Sequence, residues 1–176
     1  MSLLVVTGPP GAGKSTVARR LVDRRPISAL VEGDAFFGFL ANGAIAPWLA
    51  EAQDQNTHVT EVAAGAAGAF VERGFEVVYD GVVGPWFLDV FAAATGLGSF
   101  EYVVLLPSVE TCVDRVRTRE GHGFTDEEAT RAMHAGFVSS DVANRHLIRG
   151  LSDDVSSVVD IIESKIAAGD TTIMIR

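Results

Sequence analysis

The strongest constraint in this 176-residue chain is a run near its start, Gly8-Pro9-Pro10-Gly11-Ala12-Gly13-Lys14-Ser15, followed by Thr16. The run fits G-x-x-x-x-G-K-[ST], and its surroundings narrow its meaning. Residues 3–7 precede it as a short apolar stretch, which predicts a strand covered on both faces. Residues 15–25 follow it with Val17, Ala18, Leu21 and Val22 on one helical side, and Pro26 ends the helix. Strand, glycine-rich turn and helix in that order predict N–H groups curled inward around an anion. Glycine admits the backbone angles this needs, and the helix adds the positive end of its dipole. In such a loop Lys14 reaches the terminal phosphates of a nucleotide, and the Ser15 hydroxyl ligates magnesium. The chain has only two lysines, Lys14 and Lys165, so Lys14 does not belong to a generic lysine-covered surface. ATP and Mg2+ are the expected cofactors.

Downstream, strands and helices alternate. Strands are predicted over 27–32, 75–79, 102–106 and 145–149, and helices over 51–73, 87–94, 108–119 and 153–168. A further helix begins near Thr125, which with Glu128 forms a capping box. Residues 36–48, aromatic and rich in Gly and Ala, predict short helical pieces around a cavity. In 51–73 the apolar face is read as Val59, Val62, Ala66, Ala69 and Phe70, with Gly74 as the C-terminal cap. Gly65 and Gly68 weaken that helix, and their small size permits a close approach to the sheet. The pattern predicts one doubly wound α/β domain over residues 1–176.

Composition removes several other classes. With 48% hydrophobic residues the chain can bury a core without disulfides. Its single cysteine, Cys112, excludes an internal disulfide framework and a Cys-rich zinc site. Its histidines are scattered at 58, 122, 134 and 146. The charge balance is 14 − 23 = −9, which argues against broad nucleic-acid binding. Residues 1–7 lack a basic leader, and no apolar stretch has membrane-spanning length. The expectation is a cytoplasmic protein without a membrane partner, and no feature specifies an oligomeric state.

Two carboxylates stand where predicted strands end. Glu32-Gly33-Asp34 closes the second, and residues 75–80 form a hydrophobic strand ending in Asp80, the shape of an acid that holds Mg2+. Gly81 and Gly84 allow the backbone to pass close to an acceptor, and Trp86 either walls that pocket or joins the core. Six of the twelve arginines fall between 115 and 149. Arg115 and Arg119 share a helical face, whereas Arg117 points elsewhere, toward solvent or Asp114. Arg131 lies across the Gly121-His122-Gly123 segment.

With these residues the chain resembles the small P-loop kinases, the group of shikimate kinase, gluconate kinase, chloramphenicol phosphotransferase and adenylate kinase. The resemblance implies a P-loop NTPase fold: a five-stranded parallel sheet of order 2-3-1-4-5, helices on both faces, and a short mobile lid at about 120–126. It implies transfer of the γ-phosphoryl group of ATP to a hydroxyl of a small metabolite, nucleoside or natural product. By the same resemblance Asp34 would orient the acceptor hydroxyl and take its proton, and Glu32 would sit near the magnesium shell or cap the strand. Arg115 would stack on adenine, Arg119 would reach the transferring phosphoryl group, and the loop at Arg149 would fold around the adenine. Lys14, Asp34 and Arg119 form the expected catalytic set. The acceptor region would comprise Asp34, Phe36, Phe37, Trp48, Gln53, Asn56, Gly81 and Trp86, with His122, His134 and Arg131 from the lid side. Its aromatic and amide character favours a largely neutral acceptor. Two other readings stay open: a nucleoside monophosphate kinase, and a nucleotide-binding switch or toxin-like regulatory NTPase.

Overall fold

Runs of apolar residues only five to seven long, separated by helices, can be covered on both sides only in a layered sheet, and the chain adopts that solution. The computed structural model describes residues 2–118, 124–150 and 154–175. Its strands are β1 (Leu3–Thr7), β2 (Ser28–Glu32), β3 (Glu76–Asp80), β4 (Ser99–Leu105), β5 (Leu147–Ile148) and β6 (Thr172–Met174). Its helices are α1 (Lys14–Val22), α2 (Gly33–Phe37), α3 (Gln53–Glu72), α4 (Pro85–Thr95), α5 (Val109–Thr118), α6 (Glu127–Val138) and α7 (Val155–Ala167). Five strands run parallel in the order β2-β3-β1-β4-β5, as expected. Val5 aligns with Tyr79 on one side and Tyr102 on the other, so β1 is central.

Alternation along the strands divides the core in two. Leu3, Val5, Tyr79 and Tyr102 pack with Ala63, Ala67, Phe91 and Phe137 from α3, α4 and α6. Leu4, Val6, Val78 and Val103 pack with Val17, Leu21, Val159 and Ile162 from α1 and α7. Arg24 ties the latter two helices together through Asp160 at 2.7 Å and Glu163 at 2.8 Å.

The structure corrects several local expectations. The buried face of α3 is its small-residue face, Ala63, Ala64, Ala67 and Gly68 with Val59, while Val62 is 63% exposed. Close packing against α4 selects for small side chains rather than large ones: a Cβ on Gly68 would stand 1.9 Å from the Thr95 carbonyl oxygen. The close approach is therefore to a helix and not to the sheet. Gly74, at φ 96°, ends α3 as expected; Phe75 N–H donates to Phe70 O, and Gly74 N–H to Val71 O. Asp126, not Thr125, caps α6, accepting from Ala129 N–H at 2.9 Å. The α1 helix stops at Val22, and Ser28 Oγ donates to the carbonyl groups of Val22 and Arg25. A sixth strand, β6, runs antiparallel to β4 on the edge β4 shares with β5. Glu101 accepts from the hydroxyls of Thr171 and Thr172 there. Arg119, His122 and most of the expected lid, 120–123, lie outside the described residues.

Candidate active site

The turn between β1 and α1 has the backbone that its glycines predict. Gly8, Gly11 and Gly13 sit at φ 144°, 76° and 93°. Space adds to the conformational demand: a Cβ on Gly8 would lie 2.2 Å from Leu105 O, and one on Gly11 2.3 Å from Cys112 O. The loop is thus pressed onto the end of β4 and the first turns of α5. Ala12 N–H donates to Pro9 O at 3.2 Å, and Lys14 Nζ donates to the same carbonyl at 3.1 Å. Lys14 is only 9% exposed. Its ammonium group is folded over the concave side of the loop, where an anion would be held.

Asp80 ends β3 beside this loop. It is buried, and burial raises its carboxyl above the ordinary value, against the opposing pull of Ser15 and Lys14. The neighbouring backbone is braced: Val83 N–H donates to Thr7 Oγ1 at 2.8 Å, and Tyr102 OH donates to Val83 O at 2.7 Å. These two bonds tie the loop after Asp80 to β1 and β4. Among the described residues no group of three or more His, Cys, Asp or Glu side chains could hold a metal. A hydroxyl and a single carboxylate do suit magnesium that arrives with phosphate oxygens, since that ion keeps waters and few protein ligands.

A cavity of about 780 Å³ joins the loop to the aromatic region. Of the expected nucleotide-binding residues, Pro10, Gly11, Gly13, Lys14, Ser15, Thr16 and Arg115 line it. Arg115 also donates to Gly11 O at 3.4 Å. Of the expected acceptor residues, Asp34, Phe37, Trp48, Gln53, Asn56 and Trp86 line it. Gly8, Pro9 and Ala12 belong to the loop without lining the cavity, and Asp80 does not line it either. Gly81, Arg131 and Arg149 do not line it; both arginines are exposed. Phe36 turns instead into a separate groove with Phe39 and Phe70. Glu32 pairs with Arg19 at 2.8 Å, and the next residue but one, Asp34, is the charge that reaches the cavity. Arg117 pairs with Asp114 at 2.7 Å. His134 Nε2 lies 2.9 Å from Pro107 O, so that ring joins α6 to the loop after β4.

Sequence reasoning missed Tyr79, Thr60, Val82, Phe124 and Met133, all on the cavity wall. Thr60 was within reach, because Gln53, Asn56 and Thr60 repeat at helical spacing on α3. Tyr79 is buried with its ring against Gly33 and Gly81, where a Cβ would stand 2.3 Å and 2.7 Å from it. Those glycines let the backbone on either side of Asp34 and Asp80 close over the phenol. Burial raises the Tyr79 hydroxyl's pKa, helped by the negative charge of Asp34. A second group holds the Trp48 loop. Gln55 accepts from Ile45 N–H at 2.8 Å and donates to Ile45 O at 2.7 Å. Asn56 Nδ2 donates to Pro47 O at 2.7 Å, and its buried Oδ1 has no partner among the described residues.

The AAA domain family profile matches residues 3–140, most of the chain and every residue that lines the cavity. The chain belongs to the AAA domain family. This AAA-domain chain matches no curated protein sequence. Among solved structures it is similar to a sugar kinase from Janibacter sp. HTCC2649, at 19% identity and a TM-score of 0.70, covering 95% of each chain. It is similar to the tunicamycin resistance protein of Deinococcus radiodurans, at 14% identity and a TM-score of 0.69, covering 94% of this chain and 95% of that one. It is also similar to shikimate kinase from Acinetobacter baumannii in complex with shikimate, at 19% identity and a TM-score of 0.66, covering 96% of this chain and 94% of that one. At these identities the likeness is one of fold, a P-loop kinase-like fold shared with sugar and shikimate kinases. Among the described residues no helix is long and apolar enough to cross a membrane.

Proposed function

We propose that the protein is an ATP- and Mg2+-dependent phosphotransferase whose acceptor is a hydroxyl of a small molecule. The observation that carries this reading is the continuity of one cavity from Lys14 and Ser15 to Asp34 and the aromatic wall. A nucleotide switch needs the first end only. A kinase needs both, because attacking oxygen and phosphorus must be held in line.

Each residue has a separable task. The loop N–H groups and Lys14 hold phosphate oxygens, and Arg115 adds a cation from α5. Ser15 and Asp80 are the protein ligands suited to magnesium, with Asp80 ionised by the approaching charge. When bound, MgATP supplies the phosphoryl group and the divalent charge that offsets its oxygens. Asp34 accepts the proton of the acceptor hydroxyl as that oxygen bonds to phosphorus, the bond from phosphorus to the β,γ-bridging oxygen breaks, and ADP leaves. Arg119, which follows α5 by one residue, is the proposed cation for the transferring group.

The test is ADP release together with direct detection of phosphorylated acceptor, over a panel of sugars, nucleosides, polyols and antibiotics. Asp34→Asn should bind ATP normally while transfer falls at least about 100-fold, equivalent to about 3 kcal/mol of transition-state stabilisation. Lys14→Ala should lose turnover to the same degree without unfolding. Normal turnover in either folded variant would overturn the assignment.

A further inference from the structure

The cavity has two chemically different ends. Its cationic wall residues among those described, Lys14 and Arg115, both stand at the phosphate loop. Away from that loop the described wall carries one charge, Asp34, and is otherwise aromatic, aliphatic, amide or hydroxyl. Among the described residues an anionic acceptor would find no counter-charge there, and it would meet the like charge of Asp34.

The aromatic surface is held in place rather than packed away. Trp48 and Trp86, the only tryptophans in the chain, both line the cavity and remain 42% and 43% exposed. Trp48 meets Phe124 edge-on at 4.9 Å between ring centroids, and Trp86 meets Phe137 at 5.2 Å. Gly84 and Gly136 bring backbone against the Trp86 ring, where Cβ atoms would stand 2.3 Å and 3.1 Å away. Indole surface left open to water but fixed in orientation is suited to stacking on a flat apolar group.

We infer that the acceptor is an uncharged hydroxyl compound bearing a planar apolar group, its hydroxyl directed at Asp34 and its flat face laid on Trp48 and Trp86. The inference rests on the phosphotransferase reading and narrows it. Carboxylate and phosphate acceptors fall outside the class, and so do small polyols without a ring to stack.

Because both tryptophans line the cavity, their intrinsic fluorescence reports binding independently of turnover. The titration uses the full chain with MgADP and two matched pairs: phenyl β-D-glucopyranoside against phenyl β-D-glucuronide, and glucose against gluconate. The neutral aryl glycoside should bind at least tenfold more tightly than its carboxylate twin and at least tenfold more tightly than glucose. Equal or tighter binding of either carboxylate, or no advantage of the aryl glycoside over glucose, overturns the inference. Gln53→Arg places a guanidinium on the neutral wall and should improve glucuronide binding at least tenfold. Ala50→Arg, at an exposed wall position, serves if the first variant does not fold; no gain in a folded variant also overturns it. The two readings fail separately. A neutral aryl compound that binds with the stated preference but yields no phosphorylated product removes the phosphotransferase and leaves the ligand class standing.

Discussion

Ser15 in the first turn of α1 and Lys14 beside it both pull against the burial that raises the Asp80 carboxyl at the end of β3, an interaction between Ser15 and Asp80 that spans 65 residues of sequence. The arrangement leaves an acid in a poorly solvated place, with consequences for pH dependence.

Burial holds the Asp80 carboxyl above its ordinary 3.8 in the folded protein. The folded state therefore binds more protons than the unfolded one between 3.8 and that raised value, and stability falls as pH rises through this window. Asp80→Asn keeps the shape but removes the charge. Without magnesium, its melting temperature at neutral pH should equal or exceed that of the wild type, and the advantage should vanish below pH 3.8. Its turnover should demand more Mg2+. Melts across pH and a magnesium titration of activity check both parts.

Gly65 and Gly68 are three residues apart on α3 and should respond oppositely to alanine. At Gly65 the nearest atom to a new Cβ is 3.6 Å away, so helix propensity decides and stability should rise by about 0.5–1 kcal/mol. At Gly68 the Thr95 carbonyl oxygen would stand at 1.9 Å, so overpacking should win and cost about 1–3 kcal/mol. Denaturant unfolding of the two variants measures the difference.

Gln55 touches no cavity space yet fixes the loop that presents Trp48, through both polar atoms of its amide. Gln55→Ala should raise the KM for acceptor while nucleotide affinity changes little. The loss of two partly buried hydrogen bonds, about 0.5–1.5 kcal/mol each, sets the expected size at roughly tenfold. An equal rise in the KM for ATP would show that the loop is not where the effect arises.

Arg115 and Arg117 differ in what a lysine could replace. Arg117 pairs with Asp114 in water, so Arg117→Lys should change stability by less than about 1 kcal/mol and leave kinetics unaltered. Arg115 lies on the cavity wall against Gly11 O, and lysine lacks its planar fork. Arg115→Lys should lower kcat/KM for ATP by about tenfold, or about 1.4 kcal/mol. Steady-state kinetics on both variants give the comparison.

The parts of this molecule legible in its sequence are those set by neighbouring residues. Gly8, Gly11, Gly13 and Gly74 announce their turns because a left-handed or crowded backbone admits little else. That the strands run parallel follows from their being too apolar to leave a face in water, whereas their order is implied only by the resemblance to the small P-loop kinases. What escapes is contact between distant elements. Val62 and Phe70 look like core by spacing, but the Thr95 carbonyl selects the small face of α3 instead. Tyr79 reads as one more strand residue until the glycines at 33 and 81 close on it. Phe36 and Phe37 are indistinguishable neighbours in sequence, and only the position of α2 sends one to the groove and the other to the cavity.

The strand at Thr172–Met174 occupies the lower half of an edge that β5 covers only at Val104 and Leu105. Without it the amide and carbonyl groups of Ser99–Glu101 would face outward as a ready template for another molecule's backbone. Those last residues thus work as a guard against self-association, and shortening the chain there would be felt first as precipitation in the tube, well before any change in the chemistry at the far end of the sheet.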